Sequence, residues 1–459
     1  MIQEYINLTN LKEYIHLVET TITNWGAMLW GIPIIVFIIG VGLICTFLFR
    51  FVQFKYFFSG WKLLGAMEGK SSEDKNTISP MQAFINALSA SLGNGGLAGM
   101  AVVLVMGGPG TAFWVFMLGF ISMAIRFVEV YGGIVLAQEG YPGPLAYIKE
   151  LPYGQFFVRF YAFVFFLYIV FAGMSMQTNS IGLSLQKSFG FCPIRIGVGF
   201  ALLFLYILLG GSRRIMKASE YIIPIKVFLF FIGIIILLVY HHANIIPAFY
   251  LVMDQAFTTN AIVGGVAAYT MQRAITVGFS KALNATEVGV GTAGIFFGAT
   301  ESKAPLKTSI ISMLTAFIST NLVCAAIIFA IVTSGVSLTS GATSTELVII
   351  AFETVIGKFA GPAVTFLSFA FGIGVIVAYT FLGYKIWEFL FGKSTLFIYY
   401  FLVVFIGFVG PIVSVDFVWN SVDFLVGILI FINLLGLLWN MRKIKISFDN
   451  EVDRLKEVI

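Results

Sequence analysis

The chain has 459 residues, of which 59% are hydrophobic and only 11% charged, and its mean hydropathy is +0.97. Soluble domains carry roughly 25% charged residues, so the composition excludes a soluble domain and describes an all-α polytopic membrane protein. The 27 Lys and Arg against 22 Asp and Glu give a net charge of +5, which is informative only through its distribution along the chain.

Residues 1–26 set Glu4, Glu13 and Glu19 against Lys12 and so lack the basic start of a signal peptide. They are expected to form an amphipathic segment on the extracytoplasmic surface. The first span, 27–49, lies outside the repeat described below and precedes Arg50, Lys55, Lys62, Lys70 and Lys75. Positive charge marks the cytoplasmic side, which places the N-terminus outside.

Apolar runs of about 20 residues then fall near 80–106, 110–137, 156–186, 193–211, 220–240, 256–280, 304–334, 359–391, 394–412 and 417–440. With the first, this gives about 11 transmembrane helices. Alternating sides puts Arg213, Arg214, Lys217, Arg273, Lys281, Lys303, Lys307, Lys385, Lys393, Arg442, Lys443 and Lys445 inside. The opposite loops hold little beyond Lys187, Arg195 and Lys358. The segregation predicts a multi-pass protein of the cell (inner) membrane, with a cytoplasmic tail at 441–459. The stretch 281–303, rich in Gly, Thr and Ala, is expected as a cytoplasmic loop with a short helix under the bundle.

Setting the first span aside leaves two five-helix halves, 80–240 and 256–440. The first span of each has a glycine interruption, LGNGG at 92–96 and VGG at 263–265. Helix-interior glycine costs about 1 kcal/mol against alanine, and backbone leaves helical geometry in the hydrocarbon only where protein or a wet cavity surrounds it. Paired interruptions at corresponding places of two halves point to an inverted-repeat (5+5) transporter. Close helix packing by small residues is the other reading, and Gly95 with Gly99 satisfies it. In the broken-helix reading Gly93, Asn94, Gly95 and Gly96 hold the charged ends of a substrate, and Gly264 and Gly265 supply carbonyls.

Several stretches resemble the alanine/glycine:cation symporter family of amino-acid carriers. GGPGTAFWVFMLGFISMAIRFVE (107–129), PGPLAYI (142–148), MQTNS (176–180), GGSRRIMKASEYIIP (210–224), NATEVGVGTAG (284–294), FISTNLVC (317–324), GYKIWEFLFG (383–392) and FINLLGLL (431–438) are similar to its signatures, in its order. The resemblance implies the amino-acid/neurotransmitter symporter fold with one extra N-terminal span. It also implies a small neutral amino acid as substrate and sodium as coupling ion. The expected partners are that amino acid, a coupling cation (sodium or proton) and membrane lipid, with no nucleic acid and no organic cofactor or resident metal.

The departures from the family carry information too. Its GTGN segment becomes Gly93, Asn94, Gly95 and Gly96, its pocket Trp becomes Tyr379, its Thr-Thr pair becomes Gly374 and Val375, and its FIDT Asp becomes Ser319. By resemblance Gln177 is the pocket glutamine, whose amide can both donate and accept. Its other reading is an interhelical hydrogen bond. Tyr379 is expected to wall the side-chain space, and Ser91 and Thr380 are candidate cation ligands.

Lys226 lies two turns into the sixth span, where the family is apolar. It is a functional hypothesis by default, with snorkelling to the interface as the alternative. In some sodium-independent carriers of this general fold a lysine on the equivalent span takes the sodium position. Lost hydroxyls at 374 and 375 make the same substitution the sharper reading here, with Lys226 also exchanging a proton. Arg126 and Glu129 can meet on one helix face as a structural or gating pair. By resemblance Glu287 belongs to an inner gate, and otherwise it is a solvated loop carboxylate.

A channel would present repeated pore loops or charge rings, and none is visible. An intramembrane enzyme would need converging ligands or a nucleophile with a base, and the spans contain no His. Cys45, Cys192 and Cys324 are scattered, and His241–His242 lack a third ligand. A carrier-like sensor that has lost coupling remains the third alternative.

Overall fold

The computed structural model describes residues 17, 19–26, 28–66, 79–209, 211–258, 271–300, 304–336 and 341–458, and among them it is helical with no strand. The principal helices are α1 (Ile32–Leu48), α2 (Pro80–Ser91), α3 (Gly95–Gly107), α4 (Thr111–Val135), α5 (Gly154–Phe189), α6 (Pro193–Leu209), α7 (Gly211–Tyr240) and α8 (Ile245–Phe257). They continue as α9 (Met271–Thr286), α10 (Thr292–Gly298), α11 (Pro305–Thr333), α12 (Ser344–Ile356), α13 (Ala360–Phe391), α14 (Leu396–Val409) and α15 (Val415–Val458).

Among the described residues, five helices are long and apolar enough to cross a bilayer, or up to seven when each of two bent pairs counts as one span. Three shorter apolar helices, Ile32–Leu48, Pro193–Leu208 and Lys393–Val409, also fall on expected spans. Residues 259–270 lie outside the described set, so the expected span 256–280 is seen only in part. Gly264 and Gly265 lie there as well.

Local sequence explains the helix ends near the centre. Ser79 caps α2 through a reciprocal capping box with Gln82, and Pro80 occupies the first turn, where its missing N–H costs nothing. The α3–α4 turn passes through Gly108 at φ +77°, a left-handed value that suits glycine. Helix α4 lies against α11, α6 against α14, and α13 receives both α5 and α7. The centre of the bundle is therefore ringed by α2/α3, α5, α9/α10 and α13.

One expectation is corrected. Over the described residues 281–300 the Gly-, Thr- and Ala-rich stretch is no loop beneath the bundle: α9 runs to Thr286, α10 starts at Thr292, and residues 281–296 are all buried. Its small residues serve close packing in the interior, where an ideal Cβ on Gly95 would stand 3.0 Å from Ala285 Cα. Lys281 is thus a buried residue rather than a marker of the cytoplasmic side. The stretch expected as the cytoplasmic tail is helical, and α15 runs unbroken from the last span to Val458. Phe448 packs on Phe49 and Phe127 at 5.1 and 5.9 Å between ring centres, and Glu451 accepts from Tyr131 Oη at 2.9 Å and Leu306 N at 3.2 Å. The tail braces α1, α4 and α11 together.

Candidate functional site

The first break lies between α2 and α3, whose axes bend by 44°. Helix α2 ends at Ser91, and the chain re-enters as a π-helical turn over Gly95–Gly99. Such turns free backbone groups and recur at functional sites. A second π-helical turn, Ile169–Ser175, interrupts α5 on the facing side.

Between them sits Asn94, fully buried. Its backbone N donates to Gln177 Oε1 at 3.0 Å, and its Nδ2 donates to the same oxygen at 3.3 Å and to Ser368 O at 3.1 Å. Ser368 Oγ donates to Asn94 Oδ1 at 2.7 Å. Gln177 Nε2 in turn donates to Ala172 O, freed by the π-helical turn, at 2.9 Å. The two amides therefore saturate one another in this conformation, and Gln177 makes the interhelical bond that was its alternative reading.

The second break spans residues 287–291, with Glu287, Gly289 and Gly291 at φ +56°, +79° and +98°. Its carbonyls are taken up by side chains from three other helices. Arg126 Nη2 donates to Thr286 O at 2.9 Å, Asn433 Nδ2 to Gly289 O at 2.8 Å, and the Tyr161 hydroxyl to Val290 O. A cation at the carbonyl end of α9 is favourably placed against the helix dipole. Arg126 also stands 3.9 Å from Glu129, and both are almost wholly buried. The pair is thus internal and supports the second break from α4.

Glu287 is buried, which overturns its reading as a solvated loop carboxylate. Its Oε1 accepts from the Tyr379 hydroxyl. Tyr379 lies on Tyr168 at 6.0 Å between centres and against the bare backbone of Gly173. Ala90, Gly93, Gly95, Tyr168, Ala172, Met176, Gln177, Asn284, Ala285, Glu287 and Tyr379 line one enclosed cavity of about 10 Å³. That is close to the room one water needs, so seating a larger molecule requires the wall to move. The structure therefore brings together the predicted Gly93, Gly95, Gln177, Tyr379 and Glu287, with Asn94 directly behind Gln177. Gly96 faces Val323 and Cys324 instead.

Lys226 is fully buried on α7, which rules out snorkelling. Its Nζ donates to Leu92 O at 2.7 Å and lies 3.4 Å from Ser89 O, at the carbonyl end of α2, and 5.4 Å from the centre of the Phe371 ring. Among the described residues no carboxylate stands within ion-pair distance of it. An ideal Cβ on Gly374 would be 2.5 Å from Nζ, so the ammonium fills the space a side chain at 374 would need. Ser91 and Thr380 spend their hydroxyl protons on their own helices, Ser91 on Ala87 O and Leu88 O at 3.1 Å each and Thr380 on Ile376 O at 2.7 Å.

Sequence reading missed Asp423. It accepts from Lys281 Nζ and from Asn284 Nδ2, the latter at 2.9 Å, and Trp30 Nε1 donates to its backbone carbonyl at 2.8 Å. An acidic residue inside the predicted span 417–440 was a usable signal. Tyr168 gave none, since a tyrosine in an apolar run reads as core.

The sodium:alanine symporter family model matches residues 15–455. The transporter YflA of Bacillus subtilis is 29% identical over 92% of this chain and 91% of its own length. The sodium/alanine symporter AgcS of Methanococcus maripaludis is 28% identical, over 93% and 94% respectively. A crystal structure of the Eremococcus coleocola manganese transporter superposes with a TM-score of 0.55 at 14% identity, covering 82% of each chain, which relates the folds alone. With a match from end to end and relatives that are transporters rather than enzymes, this integral membrane protein belongs to the sodium:alanine symporter family.

Proposed function

We propose that the protein is a secondary active symporter that imports a small neutral amino acid of the alanine or glycine class across the cell membrane, coupled to sodium. What carries this reading is the pair of helix breaks facing one another across a closed central cavity. Helix breaks of this kind place backbone ends and polar side chains where a zwitterion's charges can be met once the wall rearranges, and a closed cavity reached alternately from two sides is what alternating access requires. The cavity lies between elements of the two halves, 80–240 and 256–440, which we read as inverted repeats behind the extra helix at 27–49. We place the N-terminal segment 1–26 outside and the tail in the cytoplasm. Support for the amino-acid class comes from family membership and from the name of AgcS.

A second reading is favoured by one observation, the Lys226 ammonium on the carbonyls of Ser89 and Leu92. These are the oxygens a broken helix offers to a monovalent cation, and Gly374 and Val375 offer no hydroxyl beside them. In this reading Lys226 replaces the coupling ion, and transport is sodium-independent or proton-coupled.

Uptake of radiolabelled alanine and glycine into proteoliposomes, under separate sodium and proton gradients, distinguishes the two. Sodium-driven accumulation supports the first. Accumulation indifferent to sodium, and lost in Lys226→Ala, supports the second. Absence of saturable uptake across a wider amino-acid panel would leave a carrier-like sensor and defeat both.

A further inference from the structure

The groups expected to hold both substrate charges, Asn94 and Gln177, are engaged with each other and with Ser368 and Ala172. The cavity wall contains other polar atoms that make no hydrogen bond of normal geometry among the described residues: Glu287 Oε2 and the Tyr168 hydroxyl, which lie near Thr292 and Tyr379 respectively, and Asn284 Oδ1. All three residues are at least nine-tenths buried. An unpartnered acceptor in the interior is costly and calls for a donor.

Their orientation follows from their neighbours. Asp423 is paired with Lys281, so its carboxylate can only accept. The Asn284 NH₂ must therefore face Asp423, and its carbonyl oxygen must be the atom left over. Tyr379 occupies one oxygen of Glu287 and leaves the other. Glu287 and Asn284 are three residues apart, with Asn284 on the last turn of α9 and Glu287 just beyond it. The cavity thus has a carboxylate oxygen, an amide oxygen and a hydroxyl that can accept, in a volume of about 10 Å³. That set suits a small group with several N–H donors and a positive charge. It repels a carboxylate.

We propose that this cavity seats the α-ammonium of the transported amino acid, with Glu287 Oε2 and Asn284 Oδ1 as its acceptors; the proposal rests on the amino-acid-carrier reading above. The rest of the substrate enters over Gly93 and Gly95, which requires wall side chains such as Met176 and Tyr379 to move aside. Lys281 and Asp423 are positioning residues that fix the Asn284 amide. Selection then acts first on the primary amine: a deaminated or N-acylated analogue leaves two buried acceptors unsatisfied. A sodium ion is the other monovalent cation that such oxygens could take.

Equilibrium binding of labelled alanine to the full-length protein in lipid nanodiscs, at fixed sodium, tests this. Ethylamine should compete, whereas propionate and N-acetylalanine should not. Glu287→Gln should raise the alanine Kd by roughly 10- to 100-fold, as expected for one charge-assisted hydrogen bond, with the sodium response of the remaining binding unchanged. Asn284→Leu, checked like Glu287→Gln for a monodisperse gel-filtration peak, should weaken alanine in the same direction and makes the test independent of either fold. Alanine bound by both variants within about twofold of wild type overturns the pocket and leaves the carrier reading intact. So does loss of the sodium response with unchanged analogue discrimination, which would make the cavity a sodium site. If wild type binds no amino acid, the carrier reading fails. Ethylamine titration of wild type against Glu287→Gln then decides the pocket by itself.

Discussion

At position 374 an ideal Cβ would lie 2.5 Å from Lys226 Nζ, so the lysine and the glycine are mutually dependent. A hydroxyl-bearing residue at 374 and an ammonium at 226 compete for one space beside the carbonyls of Ser89 and Leu92. Under the lysine-replacement reading, Lys226→Ala leaves these carbonyls without a cation, and alanine uptake should fall by roughly tenfold or more. Adding Gly374→Thr should then restore uptake in a sodium-dependent form, measured as initial rate against sodium concentration. A double variant that recovers nothing, or recovers without sodium, sinks the exchange. The lysine was legible in the sequence as a charge in an apolar run. That it points inward onto α2 was not, because snorkelling and burial share one sequence pattern.

At the scale of elements, the first break was visible from its glycines, whereas the break at 287–291 was not read, and the VGG motif at 263–265 lies outside the described residues. Glycine-rich segments read alike whether they form a loop or pack in the interior, and only contacts such as Gly95 on Ala285 separate the two. The second break depends on its neighbours, because carbonyls released at 286–290 must find donors. Arg126 supplies one and also faces the buried Glu129, whose carboxylate lies beside Gly289, Gly291 and Asn433 at the same break. Removing one member of a buried pair costs about 3–5 kcal/mol. Arg126→Ala should therefore lower the thermal midpoint in nanodiscs sharply, and Arg126→Ala/Glu129→Ala should recover part of the loss. Equal midpoints for the single and double variants would mean that Arg126 acts only through Thr286 and not through the pair.

For the whole molecule, the charge segregation predicts sidedness, and Cys192 offers a native probe of it. Cys192 is exposed between α5 and α6, on the side expected to face outward, whereas Cys45 and Cys324 are buried. A membrane-impermeant maleimide added to intact cells should label the protein at Cys192, and Cys192→Ser should abolish the signal. Labelling only after permeabilisation would invert the orientation of the bundle. Lys281 no longer contributes to this assignment, since it pairs with Asp423 inside, but Arg442, Lys443 and Lys445 still do. The tail of α15, fastened through Phe448, Asp449 and Glu451, ties the same end of α1, α4 and α11 together.

Sequence by itself determined the class, the positions of most helices, the first break and the identity of several cavity residues. Hydropathy, glycine interruptions and family motifs are local signals, and each is readable within a window of some 20 residues. Tertiary structure decided the rest, including Lys226 on the carbonyls of α2, Glu287 bound by Tyr379, and Lys281 with Asp423 orienting Asn284. Those pairings join residues far apart in the chain, and a buried polar group's partner is set by which helices meet, which no local pattern encodes.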